Sequence, residues 1–384
     1  MYYTSLCAIA KDEDGDIREW VSYHTRIGFE HIYLFDNGSK NPVKNAVSDF
    51  VEAQLVTVID FPLDRNQQLS AYYSCLKEFG GNAVWMGFID IDEFIVPQIH
   101  TDIRDLLDNY TNCAALGIHW KIFGSSGRRT RPENGVIHNY TNMIKRDKHI
   151  KSIVMPKRTL APLSPHHFQY IEPFYCVNED EIPVTSFYSY HTATKIQINH
   201  YYYKSLDDYS RKLKRGMATI DKSGNTRRDD ENYADFYAQE NSEGENDESI
   251  IKMVEKNKLN KIDSLYELKN IILDYQVMKF DEFVKKITEY ILSSSTVDVI
   301  KSLEYFLRYH NDMREAWCIA CKVYIQAGKK QKAKKYISLL LQDSKRELVK
   351  LGYGFLMDYY ARFDEREKIP FVRKEWEELD RETD

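Results

Sequence analysis

Four short apolar runs alternate with helix-spaced stretches between Tyr3 and Ile91, and no other feature of this sequence constrains its fold as tightly. Tyr3 to Ala10 reads as a buried strand closed by the polar loop Lys11-Asp12-Glu13-Asp14-Gly15. Ile17, Trp20, Val21, His24 and Ile27 then recur at helical spacing up to Gly28, a helix stop. His31 to Phe35 is a second strand, followed by the turn Asp36-Asn37-Gly38-Ser39. Pro42 to Val51 fits a helix and Leu55 to Ile59 a third strand. Asn66 to Phe79 is a helix ending at Gly80-Gly81, and Val84 to Ile91 is a fourth strand. Such alternation predicts βαβ units and an α/β domain with a mixed, mostly parallel sheet. Ligands of these sheets bind beyond the carboxyl ends of the strands. Three polar loops fall there: Lys11 to Glu13, Asp36 to Asn37, and Asp90 to Glu93.

The pattern changes further along. From Ala114 to Tyr203 shorter strands and long loops are expected. Asp221 to Ser249 is polar with few apolar anchors and reads as a linker. From Ile250 onward the chain is helical in pattern and free of proline until Pro370. Within it, Trp317, Ala320, Tyr324, Gly328 and Ala333 keep the spacing of a tetratricopeptide-like (TPR-like) helix pair. One such pair cannot bury its own face, so neighbours must complete the stack. With 384 residues the chain exceeds the ~250–300 at which single cores stop growing. The expected organisation is an α/β domain over 1–220, a polar linker over 221–249 and an all-helical, TPR-like domain over 250–384.

A net charge of -6 argues against a dedicated nucleic-acid binder, which is usually basic. The six cysteines lack the paired spacing of a zinc site and read as reduced, small hydrophobes. No run approaches ~18 apolar residues, and the N-terminus lacks a signal layout. The expectation is a cytoplasmic protein, with peripheral contact at the inner face of a membrane allowed. Tyr residues number 28, a content suited to half-buried polar clefts.

Phe88-Ile89-Asp90-Ile91-Asp92-Glu93-Phe94 carries the clearest chemistry. Residues two apart point the same way from a strand, so Asp90 and Asp92 are expected to share a face. Carboxylates beside Trp85, Phe88 and Phe94 need a compensating cation. Hard oxygen donors suit Mg²⁺ or Mn²⁺, which bridge carboxylates to substrate phosphates. A lone D-x-D is also a common solvated strand end; its place on the rim of a parallel sheet favours the metal. Lys11, Glu13, Asp36 and Asn37 could meet a nucleoside, or simply shape turns. His200 could complete a metal site, and Lys204 and Arg215 could meet diphosphate oxygens, while a basic helix face is equally often solvated. Glu133, His167 and Glu172 are candidates for a general base, with His167 preferred over His166 because it leads into an apolar strand. Gly124-Ser125-Ser126-Gly127 could line an acceptor pocket or turn the chain.

Together these residues resemble glycosyltransferase family 92 and its bacterial relatives, of the GT-A, Rossmann-like nucleotide-sugar-binding fold. The resemblance runs, in order, through Lys11-Asp12-Glu13, Glu19-Trp20-Val21 with Tyr23-His24, and Tyr33 to Asn37. It continues through Gln67-Gln68 with Ala71-Tyr72, Ile89 to Phe94, and Trp120 with Phe123 to Gly127. It closes on His167, Asn199-His200-Tyr201, Lys204-Ser205 and Arg215-Gly216. It implies an inverting, metal-dependent transfer from a nucleoside-diphosphate sugar, a UDP-sugar being favoured, to a glycan or lipid-linked glycan in bacterial surface polysaccharide synthesis. It implies Asp90 near ribose and metal, Asp92 and His200 on the metal, Lys204 near the diphosphate, and Gln68 with the nucleotide-binding residues. Arg128 stands where the family often has His, and the helical tail has no counterpart in the animal members.

Two other readings stand beside this one. A pyrophosphatase or nucleotidyltransferase would use the same metal chemistry on the same class of ligand. A non-enzymatic interaction protein would centre on the helical tail, through self-association, a protein partner, or its Lys329 to Lys335 run at an anionic membrane.

Overall fold

The computed structural model describes residues 1–64, 66–190, 193–215, 233–240, 242, 244–258, 274–292 and 296–381. They form two units, Met1–Asn270 and Ile271–Asp384.

The first unit opens with the expected alternation. β1 (Tyr2–Ala10), α1 (Ile17–Arg26), β2 (His31–Asp36), α2 (Val43–Ala46), α3 (Ser48–Glu52), β3 (Val56–Asp60), α4 (Gln67–Phe79) and β4 (Ala83–Phe88) follow in order. The single helix expected over Pro42 to Val51 is two short ones, because Val47 leaves helical geometry at φ -128, ψ 27. β1 pairs in parallel with both β2 and β4, and β2 pairs in parallel with β3. The register aligns Ala10 with Asp36 and Asp36 with Asp60, so the carboxyl ends share one rim. Ala71, Tyr72, Cys75 and Leu76 of α4 pack on Cys7, Tyr33, Phe35 and Phe88 of the sheet. Burying that apolar face holds the rim rigid.

The second half of the sheet is mixed. β5 (Glu93–Pro97), α5 (Ile103–Leu107), β6 (Ala115–Phe123), β7 (Asn142–Val154), β8 (Thr159–Pro162), β9 (Phe168–Tyr170), β10 (Cys176–Val177), β11 (Pro183–Val184) and β12 (Ile196–His200) follow. β7 lies antiparallel between β4 and β6. β12 pairs antiparallel with β5 and parallel with β6. This is the mixed α/β arrangement expected of a GT-A domain, followed by a helical region.

The linker expectation needs correction. α6 (Leu206–Arg215) is followed by α7 (Tyr233–Glu240), β13 (Glu245–Asn246) and α8 (Ser249–Lys258), all within the first unit. The boundary therefore falls after Asn270 rather than at 249; residues 221–232 lie outside the described ones. The cause is one buried ring, Phe236 of α7 against Tyr209 and Leu213, joined by polar anchors that hydropathy does not register. β13 pairs with β7. Gln239 accepts from the Ser125 amide at 3.0 Å and donates to its hydroxyl at 3.0 Å. Lys121 Nζ donates to Asp247 at 2.8 Å.

In the second unit, Phe280–Leu292, Thr296–Tyr309, Arg314–Gln326, Lys330–Leu341, Arg346–Arg362 and Ile369–Arg381 are helices. Ala320, Tyr324 and Ala333 are buried in their common core, and Gly328 turns the chain at φ +70, where glycine has no steric penalty. Two lysines of the basic run are paired, Lys330 with Glu365 at 2.8 Å and Lys332 with Glu304 at 2.5 Å. Among the described residues, no helix is long and apolar enough to cross a membrane. All six cysteines are free.

Burial alone would raise the Asp247 carboxyl, but hydrogen bonds from Lys121 and Ser249 outweigh it and hold it at about 2. A depressed carboxylate stabilises the fold above its unfolded pKa, near ~4, and loses that contribution as pH falls toward the folded value. In urea unfolding between pH 4 and 2, wild type should lose about 1 kcal/mol more than Asp247→Asn, solvent screening of a part-exposed pair reducing the full effect. Identical acid limbs would show that this pair does not anchor the segment after α7.

Candidate active site

The acidic motif is a turn, not a strand. β4 ends at Phe88, and the Glu93 amide donates to the Asp90 carbonyl at 3.1 Å. The Glu93 carboxylate in turn accepts from the Asp90 amide at 2.9 Å. This closure corrects the expectation that Asp90 and Asp92 share a strand face: their side chains have different partners.

Asp90 engages α4 and β7. It accepts hydrogen bonds from Gln68 and, at 3.2 Å, from the Tyr72 hydroxyl, and lies 3.1 Å from Lys151 Nζ. Lys151 is 1% exposed and also lies 3.5 Å from Glu93. Burial pushes the Glu93 carboxyl well above its ordinary range, with Lys151 opposing the shift. Burial alone would lower Lys151, but Asp90 and Glu93 more than offset it and keep the ammonium charged.

Asp92 engages β12 and α6. It lies 3.6 Å from His200 Nε2 and accepts from Lys212 Nζ at 2.7 Å. The Tyr201 amide donates to the Asp92 carbonyl at 2.8 Å, tying β12 to the turn. Burial would raise the Asp92 carboxyl, but Lys212, His200 and Lys204 hold it well below the ordinary range. Burial lowers the His200 imidazole, so it is neutral at pH 7 and able to act as a ligand.

Above Asp92 a cleft of about 650 Å³ opens at the rim. Its described lining includes Lys11, Lys40, Arg131, Lys204, Arg211, Lys212, Lys214 and Arg215, against Asp12, Glu13, Asp14, Asp16, Asp92 and Asp208. The basic excess favours an anion. Asp16, 2% exposed, is paired with both Lys204 and Arg131, and Arg131 reaches Asp208 at 2.6 Å. Burial would raise the Asp16 carboxyl, but Lys204 and Arg131 lower it overall. Arg215 pairs with Glu13 and donates to the Lys11 carbonyl at 2.8 Å. The ammonium of Lys212 sits 4.0 Å from the centre of the Tyr202 ring.

The structure thus gathers Lys11, Glu13, Asp92, Lys204 and Arg215 around one cleft, with His200 beside Asp92 and Gln68 on Asp90. Asp36 accepts from the amides of Ser39 and Val43, and Asn37 donates to the carbonyls of Phe61 and Leu63. Those two residues shape the loop, and neither lines the cleft. Glu133 and Glu172 are exposed outside it. His167 sits edge-on to Tyr170, 5.5 Å between ring centres. It is His166 that reaches inward, 5.1 Å from Trp120, with burial lowering its imidazole to about 3. The Gly124 to Gly127 loop is held by α7 through Ser125.

Asp16, Arg131, Lys151 and Asp208 escaped the sequence reading. Their partners are remote in sequence, and only Asp16, ahead of a helical pattern, sits at a position with any local signal. Lys212 lay within the basic helix already noted, without a role.

Lys151→Met should destabilise the chain by up to about 3 kcal/mol, since it leaves the buried Glu93 carboxyl and the part-buried Asp90 carboxylate without their cation. Adding Glu93→Gln should recover part of that loss, a coupling readable in a thermal double-mutant cycle. Strict additivity would show that Lys151 does not support the turn.

Comparison with known proteins gives this geometry a relationship. The sequence model of glycosyltransferase family 92 matches residues 5–239. A glycosyltransferase family 92 protein of Ricinus communis is 28% identical over 221 residues, covering 56% of this chain and 38% of that protein. One from Oryza sativa subsp. japonica is 28% identical over 220 residues, covering 56% and 35%. A galactan beta-1,4-galactosyltransferase of Arabidopsis thaliana is 31% identical over 102 residues, covering 24% and 19%. The chain therefore spans well under half the length of these curated relatives. The family match takes in β1 to α7, every element that builds the cleft, and on that match the chain belongs to glycosyltransferase family 92.

Proposed function

We propose that this chain transfers a sugar, with inversion, from a nucleoside-diphosphate donor to a hydroxyl of a glycan or lipid-linked glycan. The observation that carries the reading is the cleft at the carboxyl ends of β1, β2 and β4. There a basic excess surrounds Asp92, and a neutral His200 stands 3.6 Å behind it. Its 650 Å³ falls in the range of small-molecule sites.

The donor set suits a divalent cation. Among the described residues, no group of three or more His, Cys, Asp or Glu side chains is arranged to hold a metal by itself. Mg²⁺ and Mn²⁺ sites of this class use one or two protein ligands, with substrate phosphates and water supplying the rest. Asp92 and His200 meet that requirement; Asp90 is taken up by Gln68, Tyr72 and Lys151. The ammonium of Lys212 neutralises Asp92 when no cation does. Bound there, Mn²⁺ or Mg²⁺ would offset charge on the departing diphosphate.

The chain's own residues do the rest. Lys204, Arg215 and Lys212 present donors to the diphosphate and stabilise the charge it gains. Their carboxylate partners Asp16, Glu13 and Asp92 hold those cations in place before the donor arrives. The acceptor oxygen attacks the anomeric carbon opposite the leaving group. The electron pair of the breaking C–O bond goes to the diphosphate, and the hydroxyl proton goes to a base. A galactosyltransferase among the relatives supports a hexosyl donor.

Incubation with nucleoside-diphosphate sugars and Mn²⁺ should yield a glycoside and free nucleoside diphosphate, read by mass spectrometry. Asp92→Asn should lower kcat/KM by about 10²-fold or more, the scale of a lost charge-stabilising group. Undiminished transfer by Asp92→Asn would sink the assignment. Release of pyrophosphate in place of nucleoside diphosphate would make the chain a nucleotidyltransferase.

A further inference from the structure

Beyond the cleft, a continuous set of rings leads from His200 to the surface. His200 lies 4.5 Å from Trp120, ring centre to ring centre. Trp120 stacks on His149 at 5.1 Å and 25° and meets His166 at 5.1 Å. His149 meets Tyr188 at 4.4 Å, and Tyr188 meets Phe187 at 4.1 Å. Phe187 is 39% exposed and Tyr188 46%.

The backbone fixes this surface. Tyr188 bridges His149 in antiparallel fashion, the Ile150 amide donates to the Phe187 carbonyl at 3.1 Å, and the Ser189 amide donates to the Lys148 carbonyl at 3.0 Å. Large rings are therefore held open to solvent at an ordered strand edge. Polar groups flank them. The Asp147 carboxylate accepts from the His149 ring and amide and pairs with Lys145. Burial would raise that carboxyl, but Lys145 and His149 keep it well below its ordinary range. The buried Trp120 indole N–H has no acceptor among the described residues.

An aromatic face is electronegative and attracts the weakly positive C–H groups on the flat side of a pyranose. The hydroxyl rim of the same sugar needs carboxylate acceptors and N–H donors nearby. Phe187 and Tyr188 present the rings, and the exposed ammonium of Lys145, held beside them by Asp147, supplies a polar edge. The ring path also runs unbroken to His200 and Asp92, where the proposed donor would sit.

We propose that Trp120, His149, His166, Phe187 and Tyr188 form the acceptor platform, which stacks a sugar of the glycan to be extended. The inference rests on the transfer reading above and specifies where its acceptor lies. Phe187 and Tyr188 are the outer contacts; Trp120 and His166 carry the platform inward to His200.

The test uses the full chain on an array of defined oligosaccharides, with calorimetry on the best ligand. Wild type should retain a subset of the array. Phe187→Ala and Tyr188→Ala should each weaken binding about tenfold, the scale of one lost ring stack. Tyr188→Phe, which keeps the ring, should bind like wild type. The thermal shift given by UDP with Mn²⁺ should be the same in all four proteins. The platform is overturned if wild type retains no oligosaccharide while responding to UDP, or if both alanine variants bind normally. It is also overturned if those variants change sedimentation instead, which would make the face a protein interface. Oligosaccharide binding without any response to a nucleoside diphosphate would overturn the donor reading and leave the sugar face standing.

Discussion

The site depends on one buried ammonium. Lys151, 1% exposed near the carboxyl end of β7, lies against both Asp90 and Glu93. Without it, the turn from β4 to β5 would hold Asp90 and the fully buried Glu93 side by side with only neutral hydrogen-bond donors, from Gln68, Tyr72 and the Asp90 amide, to balance them. Uncompensated charge in such surroundings is among the costliest defects a fold can carry. The geometry of Asp92 follows from that turn, and the pairing of β12 with β5 sets His200 beside it.

The cleft above follows the same logic in a more open form. Each major cation there already has a carboxylate: Lys204 with Asp16, Arg215 with Glu13, Lys212 with Asp92. These pairs keep an electropositive cleft folded when it holds no anion. On the proposed function, a diphosphate would exchange partners with these pairs rather than order loose side chains, which limits the entropic cost of association. The aromatic path from His200 through Trp120 to Tyr188 joins this polar cleft to a surface of opposite character. That contrast suits the proposed reaction between a charged donor and a neutral sugar.

Much of this was legible in the sequence, and the rest has physical reasons for being hidden. The βαβ order was readable because hydrophobic periodicity is local, and so was the rim carrying Lys11, Asp36 and Asp90. The turn at Asp90 was misread as strand because Ile89 and Ile91 continue the apolar pattern while the hydrogen bonds leave the ladder. Lys212 and Asp92 meet across 120 residues and Lys204 and Asp16 across 188, distances at which spacing carries no information. His166 and His167 are adjacent, and what turns His166 inward is remote in sequence: its ring nitrogen lies 2.8 Å from the Ile150 carbonyl of β7, and the Ser152 hydroxyl donates to its carbonyl at 2.7 Å. Residues 221–249 read as a linker because Gln239 in α7 and Asp247 beyond it are among the anchors, and hydropathy treats both as solvent-loving.

The proposed function has a diphosphate and a divalent cation bound together above Asp92. Calorimetric titration of UDP into the chain, with and without Mn²⁺, measures that coupling directly. Mn²⁺ should tighten UDP binding at least about tenfold in wild type, a modest coupling energy by the standards of linked sites. His200→Ala should abolish the gain while leaving metal-free binding unchanged, as the proposed joint site requires. Equal UDP affinity with and without Mn²⁺, or a gain that survives in His200→Ala, would contradict it.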